Sequence, residues 1–436
     1  MLVKRAVLVF LFLLTGCIKP ISDRVEEQPA TAKEPVEKLA YVADRALWLT
    51  TLGGTDKQPI DACPPQPAYC YFTRLRWSPD GNYLLYLKNN DSISTLHLAD
   101  RAGNTHRLPG TGEDQIDFPI PAWSADGQSL IYLQDGLRQM NSPFTEMGHE
   151  IGTVSDFGDG GCGGGGFPVS EFVYWQEGLA TFPYNTPPSQ LIWLANDQLL
   201  YTRNCTGTGL GRFDLRTGRP LPRLDSDRLM LVTTNRQRDR WAAITTDHHL
   251  AIGLAQAGLI ITSPIADSIP TPAQLNTGIH PPGTTLAGGV FYGAYSGRLY
   301  YTTRQLQTTL QIDEQGFYAL DPPVQNLFIT YPHFPIYQTT LYATTQTDWE
   351  HPQIVWQGDA YGIGSVSESA SGDILFVRID NGQALYKALK AKKSITEVEA
   401  VWPTGQIMRI PAAGSAPQVL LDNAGQVALV QIHRNK

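Results

Sequence analysis

The sequence carries little charge, few cysteines and almost no chemistry written as a motif. Asp, Glu, Lys and Arg make up 17% of its 436 residues, and the formal net charge is -8. That balance excludes the concentrated basic surface of a nucleic-acid footprint. The glycine run Gly158–Gly166 lacks the lysine that a phosphate-cradling P-loop requires. No H-E-x-x-H is present: His149-Glu150 leads to nothing suitable, and adjacent His248-His249 point in different directions. Asp156 and Asp159 lack the spacing of a calcium loop. There is no G-x-S-x-G elbow, and no βαβ region to carry a triad behind it. These absences name no catalytic residue, no metal ligand and no cofactor, so none is expected. A pair of carboxylates distant in sequence stays open.

Turn formers and strand formers are plentiful. Gly 40 and Pro 31 accompany 19 Tyr and 9 Trp, a composition of short strands joined by turns. Residues 74–87, RLRWSPDGNYLLYL, give an apolar strand, a Ser-Pro-Asp-Gly turn and a second strand. Asp-Gly between apolar runs is a hairpin signal, because Gly81 can adopt positive φ. Pro121–Leu133 repeats the phrase, with Trp123, Ser124, Asp126, Gly127, Leu130, Tyr132 and Leu133 in register. A second part of the repeat, Leu96–Leu108, returns as Arg212–Leu221 and Ile407–Leu421. Trp193–Thr202 and Ser369–Val377 are looser copies, the latter with Glu368 at the place of Trp77. Units of this length made of strands and turns are propeller blades. The W-S-P-D-G phrase resembles the WD40-like repeat of TolB-type β-propellers. That resemblance implies an all-β fold of four-stranded antiparallel blades.

Dividing Leu39–Ile432 by roughly 45–55 residues per unit favours seven blades, with six or eight open. The hairpin Leu39–Leu49 has no preceding partner, and Val427–Ile432 offers one, so the two ends are expected to share a blade. Phe317–Asp321 is read as a third strand after the hairpin at Ser296-Gly297. The propeller domain spans residues 39–436, with insertions around 136–176 and 388–404.

The start of the chain sets its compartment. Lys4 and Arg5 precede the apolar run Ala6–Leu14, which at nine residues is too short to span a bilayer. It ends in Leu14-Thr15-Gly16-Cys17, which resembles the lipobox of bacterial lipoproteins. The resemblance implies a signal peptide over 1–16 and a lipidated Cys17. Residues 17–38, with three prolines and no aromatic residue, read as a flexible tether. Ile18 follows the cysteine where many enterobacterial inner-membrane lipoproteins carry aspartate, which points to the outer membrane where the organism has one. The expected location is the cell envelope, outside the cytoplasm.

Four further cysteines in an exported chain favour disulfides, with Cys63 pairing Cys70 and Cys162 pairing Cys205. The functional expectation is a non-enzymatic binding or scaffold lipoprotein. It would present loops near Gly158–Gly166 and Lys387–Lys393 to an envelope protein or peptide. The alternative is a propeller enzyme acting on glycan or peptide at the central channel, or a carbohydrate-binding protein.

Overall fold

Alternating apolar residues closed by tight turns set the strands of the computed structural model. It describes residues 36–54, 56–64, 70–90, 93–109, 121–133, 136–146, 148–153, 191–202, 210–224, 229–245, 249–255, 257–264, 284–311, 333–345, 348–391, 393, 397, 405–422 and 424–432. They lie within one compact unit, Pro35–Asn435. The expectations for Cys17, the signal peptide, most of the tether, Gly158–Gly166, Cys162 and Cys205 fall outside the described residues.

β1 (Val36–Ala43), β2 (Ala46–Thr51) and β3 (Gln58–Ala62) belong to the first sheet. β4 (Cys70–Trp77), β5 (Tyr83–Asn90), β6 (Ile93–Asp100) and β7 (Thr105–Arg107) form the second. β8 (Ala122–Trp123), β9 (Ser129–Leu133), β10 (Gly136–Asn141) and β11 (His149–Thr153) form the third. β12 (Leu191–Trp193), β13 (Gln198–Thr202), β14 (Leu210–Asp214) and β15 (Arg219–Leu224) form the fourth. The fifth holds β16 (Leu229–Thr234), β17 (Arg240–Thr245), β18 (His249–Leu254) and β19 (Ala257–Pro264). The sixth holds β20 (Thr284–Tyr292), β21 (Leu299–Gln311), β22 (His333–Thr345) and β23 (Asp348–Asp359). The seventh holds β24 (Gly362–Glu368), β25 (Ile374–Ile379), β26 (Gly405–Ile410) and β27 (Gln418–Leu421), with helix α1 (Gln383–Lys390) between β25 and β26. β28 (Ala424–Ile432) returns to the first sheet, running antiparallel to β1 from Val36↔Ile432 to Ala43↔Ala424. The two ends of the body therefore complete one sheet.

Seven four-stranded antiparallel sheets make a multi-bladed, propeller-like arrangement, and its core lies between sheets. Leu47, Leu49, Phe72 and Tyr86 join the first sheet to the second. Leu85, Leu98, Trp123 and Tyr132 join the second to the third. The remaining clusters join each next pair in turn, and Leu39, Tyr41, Val377 and Ile407 join the seventh to the first. Each sheet thus buries both faces. Burying one large apolar side chain fully is worth about 1.5–3 kcal/mol.

The Ser-x-Asp-Gly turns explain the repeat physically. Ser78 Oγ donates to Asp80 Oδ1 at 2.6 Å, and Asn82 N donates to the same oxygen at 3.0 Å. Tyr83 N donates to Ser78 Oγ at 2.9 Å, closing the turn onto β5. Ser124, Asp126, Gln128 and Ser129 repeat these bonds one sheet on. Gly81 and Gly127 take φ of 68° and 74°. At Gly127 a Cβ would also lie 2.7 Å from Asp80 Oδ1. The two turns are latched to each other by Gln128 Nε2, which donates to Asp80 Oδ2 at 3.0 Å.

Three expectations are corrected. Residues 136–153, read as insertion, are the outer strands β10 and β11, joined by a turn without an Asp-Gly signal. The third strand of the sixth sheet is β22, rich in β-branched and aromatic residues; Phe317–Asp321 lies outside the described residues. Lys387 and Lys390 sit on α1 rather than on a loop, where Leu385 is buried and both lysines lie in the last turn. Positive charge there meets the negative end of the helix dipole. Among the described residues, no helix is long and apolar enough to cross a membrane.

Candidate functional site

The first strands of successive sheets gather on one side of the arrangement: β4 touches β28, β28 touches β24, and the contacts continue through β20 to β16. Apart from β28, each first strand leads through a short turn into the second strand of its sheet. Two of these turns, at Asp80 and Asp126, carry acids whose oxygens their own backbone uses. Glu368, buried where the repeat has tryptophan, serves its neighbour instead. Its Oε2 accepts Tyr295 N at 2.9 Å and Ser296 N at 2.8 Å, tying the sixth sheet to the seventh.

Arginines in this region behave differently. The register of β4 against β5 shifts between Thr73 and Arg76, so Arg74 and Leu75 stand opposite Tyr86 alone. This bulge puts Arg74 at φ 60°, a conformation disfavoured for a residue with a side chain. Arg238, in the turn between β16 and β17, also takes positive φ, at 58°. Its N–H donates to Asn235 O at 3.1 Å, and its carbonyl accepts Ala195 N at 3.0 Å. Nη1 of Arg238 reaches past the fourth sheet and donates to the carbonyl oxygen of Trp123. Among the described residues, two of the six non-glycine residues at positive φ are thus Arg74 and Arg238.

The electrostatics are those of like charges held together inside protein. Burial lowers Arg76 to about 10, and Arg74 beside it pushes the same way. Burial also lowers Arg238 to about 10; Arg76 adds to this and Asp126 opposes it. Both guanidiniums remain charged at neutral pH. Asp126 is held below the usual carboxylate range, first by the Ser124 hydroxyl and then by Gln128 N, with Arg238 a smaller influence. The Arg76 side chain keeps partial solvent contact, and no described residue gives it a hydrogen bond or an ion pair. A guanidinium with like charges nearby and partial solvent contact has fork donors that can bridge two oxygens of an anion.

The residues singled out in the sequence stand elsewhere. Cys63 and Cys70 are disulfide-bonded, with Cα atoms 5.5 Å apart, joining the end of β3 to the first residue of β4. His149 opens β11 and His249 opens β18; His248, Asp156 and Asp159 lie outside the described residues. Among the described residues no group of three or more His, Cys, Asp or Glu could hold a metal ion. Arg74, Arg76 and Arg238 were not anticipated. A signal existed, since Arg76 occupies the position before the repeat tryptophan that Ala122 and Ile192 fill in later copies.

No protein-family model matches the chain, and no curated protein matches it in sequence. Among solved structures, it is similar to one from a study of two prolyl endopeptidases, with 9% identity and a TM-score of 0.45. That likeness covers 91% of this chain, which spans about 50% of the length of the other. It is also similar to a dihydro-heme d1 dehydrogenase, with 11% identity and a TM-score of 0.41, over 90% of this chain and 74% of that one. Neither likeness carries an activity across to this chain.

Proposed function

We propose that this chain is an extracytoplasmic binding lipoprotein whose folded body is a closed seven-bladed β-propeller. It is anchored through Cys17 and the tether 17–38, and it receives an acidic group of an envelope protein or peptide partner at Arg74, Arg76 and Arg238. One observation carries the binding reading: the Arg76 side chain keeps partial solvent contact beside like charge, without a hydrogen bond or ion pair from the described side chains. The clusters that join each sheet to the next support closure of the blades. The lipobox-like Leu14-Thr15-Gly16-Cys17 supports the anchor.

Capture from the native envelope tests the reading. Wild type is expected to retain a stable partner that Arg76→Gln and Arg238→Gln lose, and equal capture by all three would count against the site. Cys17→Ser is expected to move the protein from the membrane fraction to the soluble one. A second reading, an enzyme acting on glycan or peptide, draws on the same arginines. Guanidiniums that bind an oxyanion also stabilise one that develops in a transition state. Turnover of such a substrate, abolished by Arg76→Gln with the fold intact, would replace binding with catalysis.

A further inference from the structure

We infer that α1, seated on β22, presents a basic face made by Lys387, Lys390 and Lys393 to an acidic segment of a partner protein. This rests on the binding reading above and gives it a second surface, separate from Arg74, Arg76 and Arg238.

The helix is an addition to its blade. β1 joins β2 through Asp44-Arg45 and β5 joins β6 through Asp91-Ser92, whereas residues 380–404 separate β25 from β26. Long connections on a rigid scaffold are where binding surfaces concentrate. This one is pinned at its base. Asn381 Oδ1 accepts Tyr337 N at 3.0 Å and Asn381 Nδ2 donates to Tyr337 O at 2.8 Å, so a buried amide stands in for a strand against β22. Leu385 is buried beneath the helix, while Gln383, Lys387, Lys390 and Ala391 are exposed. A face held this firmly loses little conformational freedom when a partner docks.

Its charge is of one sign. Gln383–Lys390 holds no Asp or Glu, and neither do residues 305–311 and 333–338 of β21 and β22, in a chain of formal net charge -8. Asp380, just before the helix, already accepts Gly382 N at 2.7 Å. Lys387 and Lys390, three residues apart, share a helix face on which like charges oppose one another. Among the described residues no acid forms an ion pair with either, and Lys390 Nζ donates to Tyr386 OH at 3.2 Å. The helix dipole accounts for two lysines in the last turn but not for Lys393 beyond it. Lys393 Nζ donates to Glu397 Oε1 at 2.8 Å in an exposed pair, which a partner carboxylate can replace with little loss.

Position selects a protein over the membrane. Glu37 Oε1 accepts Ala370 N at 2.6 Å, so the chain enters the body beside the turn that precedes β25. The helix follows the far end of that six-residue strand, about 20 Å away. Attraction to anionic headgroups fades within a Debye length of roughly 8 Å, so an anchor at the chain's entry leaves this face outside its field.

The test is carbodiimide cross-linking of a labelled octaglutamate peptide to the purified full-length chain at neutral pH and low salt. Cys17→Ser is present throughout, so that a lipid anchor does not itself hold vesicles. Fluorescence anisotropy gives the affinity, and mass mapping gives the position. Carbodiimide joins a carboxylate to lysine and not to arginine, which separates this face from the three arginines. Cross-links at Lys387, Lys390 or Lys393 are expected. Replacing all three by glutamine is expected to weaken binding about tenfold or more, and replacing all three by arginine to retain it. Lys57→Gln, exposed between β2 and β3, is expected to leave it unchanged.

Phosphatidylglycerol vesicles form the second arm, and the glutamine form is expected to bind them as wild type does. Vesicle binding that depends on these lysines would assign the face to lipid and overturn the inference. No saturable peptide binding, or equal binding by the folded glutamine form, would also overturn it. Peptide binding lost in Arg76→Gln, with no cross-link on α1, would remove this face and leave the arginine reading standing. Cross-links on α1 with envelope capture untouched by Arg76→Gln would do the reverse.

Discussion

Arg304 and Arg76 are both arginines inside the body, and the fold treats them in opposite ways. Arg304, on β21, is 1% exposed and lies between two rings, 4.2 Å from the centroid of Tyr337 and 4.5 Å from that of Tyr361. Its Nη1 donates to Tyr361 O at 3.1 Å. Those rings belong to the contact between the last sheets and the first. The charge is thus surrounded by aromatic faces supplied by the chain itself. Arg76 has like charges for neighbours and an opening to solvent. A cation that the fold encloses holds sheets together; one that it leaves beside other cations does not share that role. His97 shows a third outcome, since it is kept neutral.

Removing Arg304 gives the largest expected effect. Arg304→Ala leaves a cavity between two tyrosines and a buried carbonyl without this donor. A loss of about 3 kcal/mol or more in urea unfolding is expected, combining cavity and cation–π contributions. A loss below about 1 kcal/mol would mean that the aromatic enclosure contributes little, and the contrast with Arg76 would lapse.

Glu368 is the anionic counterpart of Arg304, an enclosed charge that bridges two sheets. Glu368→Ala strands the N–H groups of Tyr295 and Ser296 beside a small cavity. About 2–3 kcal/mol of destabilisation is expected, the cost of hydrogen bonds to a charged group left unmade. Faster amide exchange at Tyr295 and Ser296 would locate that loss, and unchanged exchange would contradict it.

How much of this was legible beforehand follows the same division. The Ser-Pro-Asp-Gly phrase encodes local bonds within five residues, so the hairpin at Ser78–Tyr83 could be read directly. Pairing of β1 with β28 was also legible, because an unpartnered hairpin and a spare terminal strand demand each other. What lay hidden depends on residues far apart in sequence. Nothing near Glu368 announces that it will accept from Tyr295, and nothing near Arg238 announces Trp123. The lysines at 387–393 misled for a related reason: charge count stood out, while the apolar spacing that makes α1 a helix did not. Arg76 was visible only as a cation where its repeat partners are Ala122 and Ile192.

His97 supplies a pH-dependent version of the comparison. Burial lowers it to about 4; Lys88, Arg107 and His106 push the same way, against Asp61. Its Nε2 lies 2.9 Å from Thr95 Oγ1, and its ring stacks on Tyr86 at 5.3 Å between centroids. Above the unfolded value of 6.5 neither state binds the proton. As pH falls from there to about 4, the unfolded chain takes a proton that the folded one refuses, so stability falls across this window and not below it. The loss from pH 7.5 to 4.5 is expected to be on the order of 1–2 kcal/mol larger for wild type than for His97→Gln. Parallel pH profiles for the two would show that His97 does not contribute.

Arg76→Gln gives the smallest expected change and the sharpest one. Glutamine keeps much of the aliphatic stem that packs along the fold while removing the charge. In the absence of an anion, that relieves desolvation and the repulsion among Arg74, Arg76 and Arg238. The variant should therefore be more stable than wild type, by up to about 1 kcal/mol given its partial solvent contact. Raising salt from 0.02 to about 0.5 M should narrow the gap, because screening weakens repulsion in wild type alone. Urea midpoints at both salt concentrations, in buffer free of phosphate and sulfate, measure it. If Arg76→Gln is instead less stable by more than about 1 kcal/mol in every buffer, Arg76 is a structural cation of the same kind as Arg304. The distinction between the two arginines would then be lost.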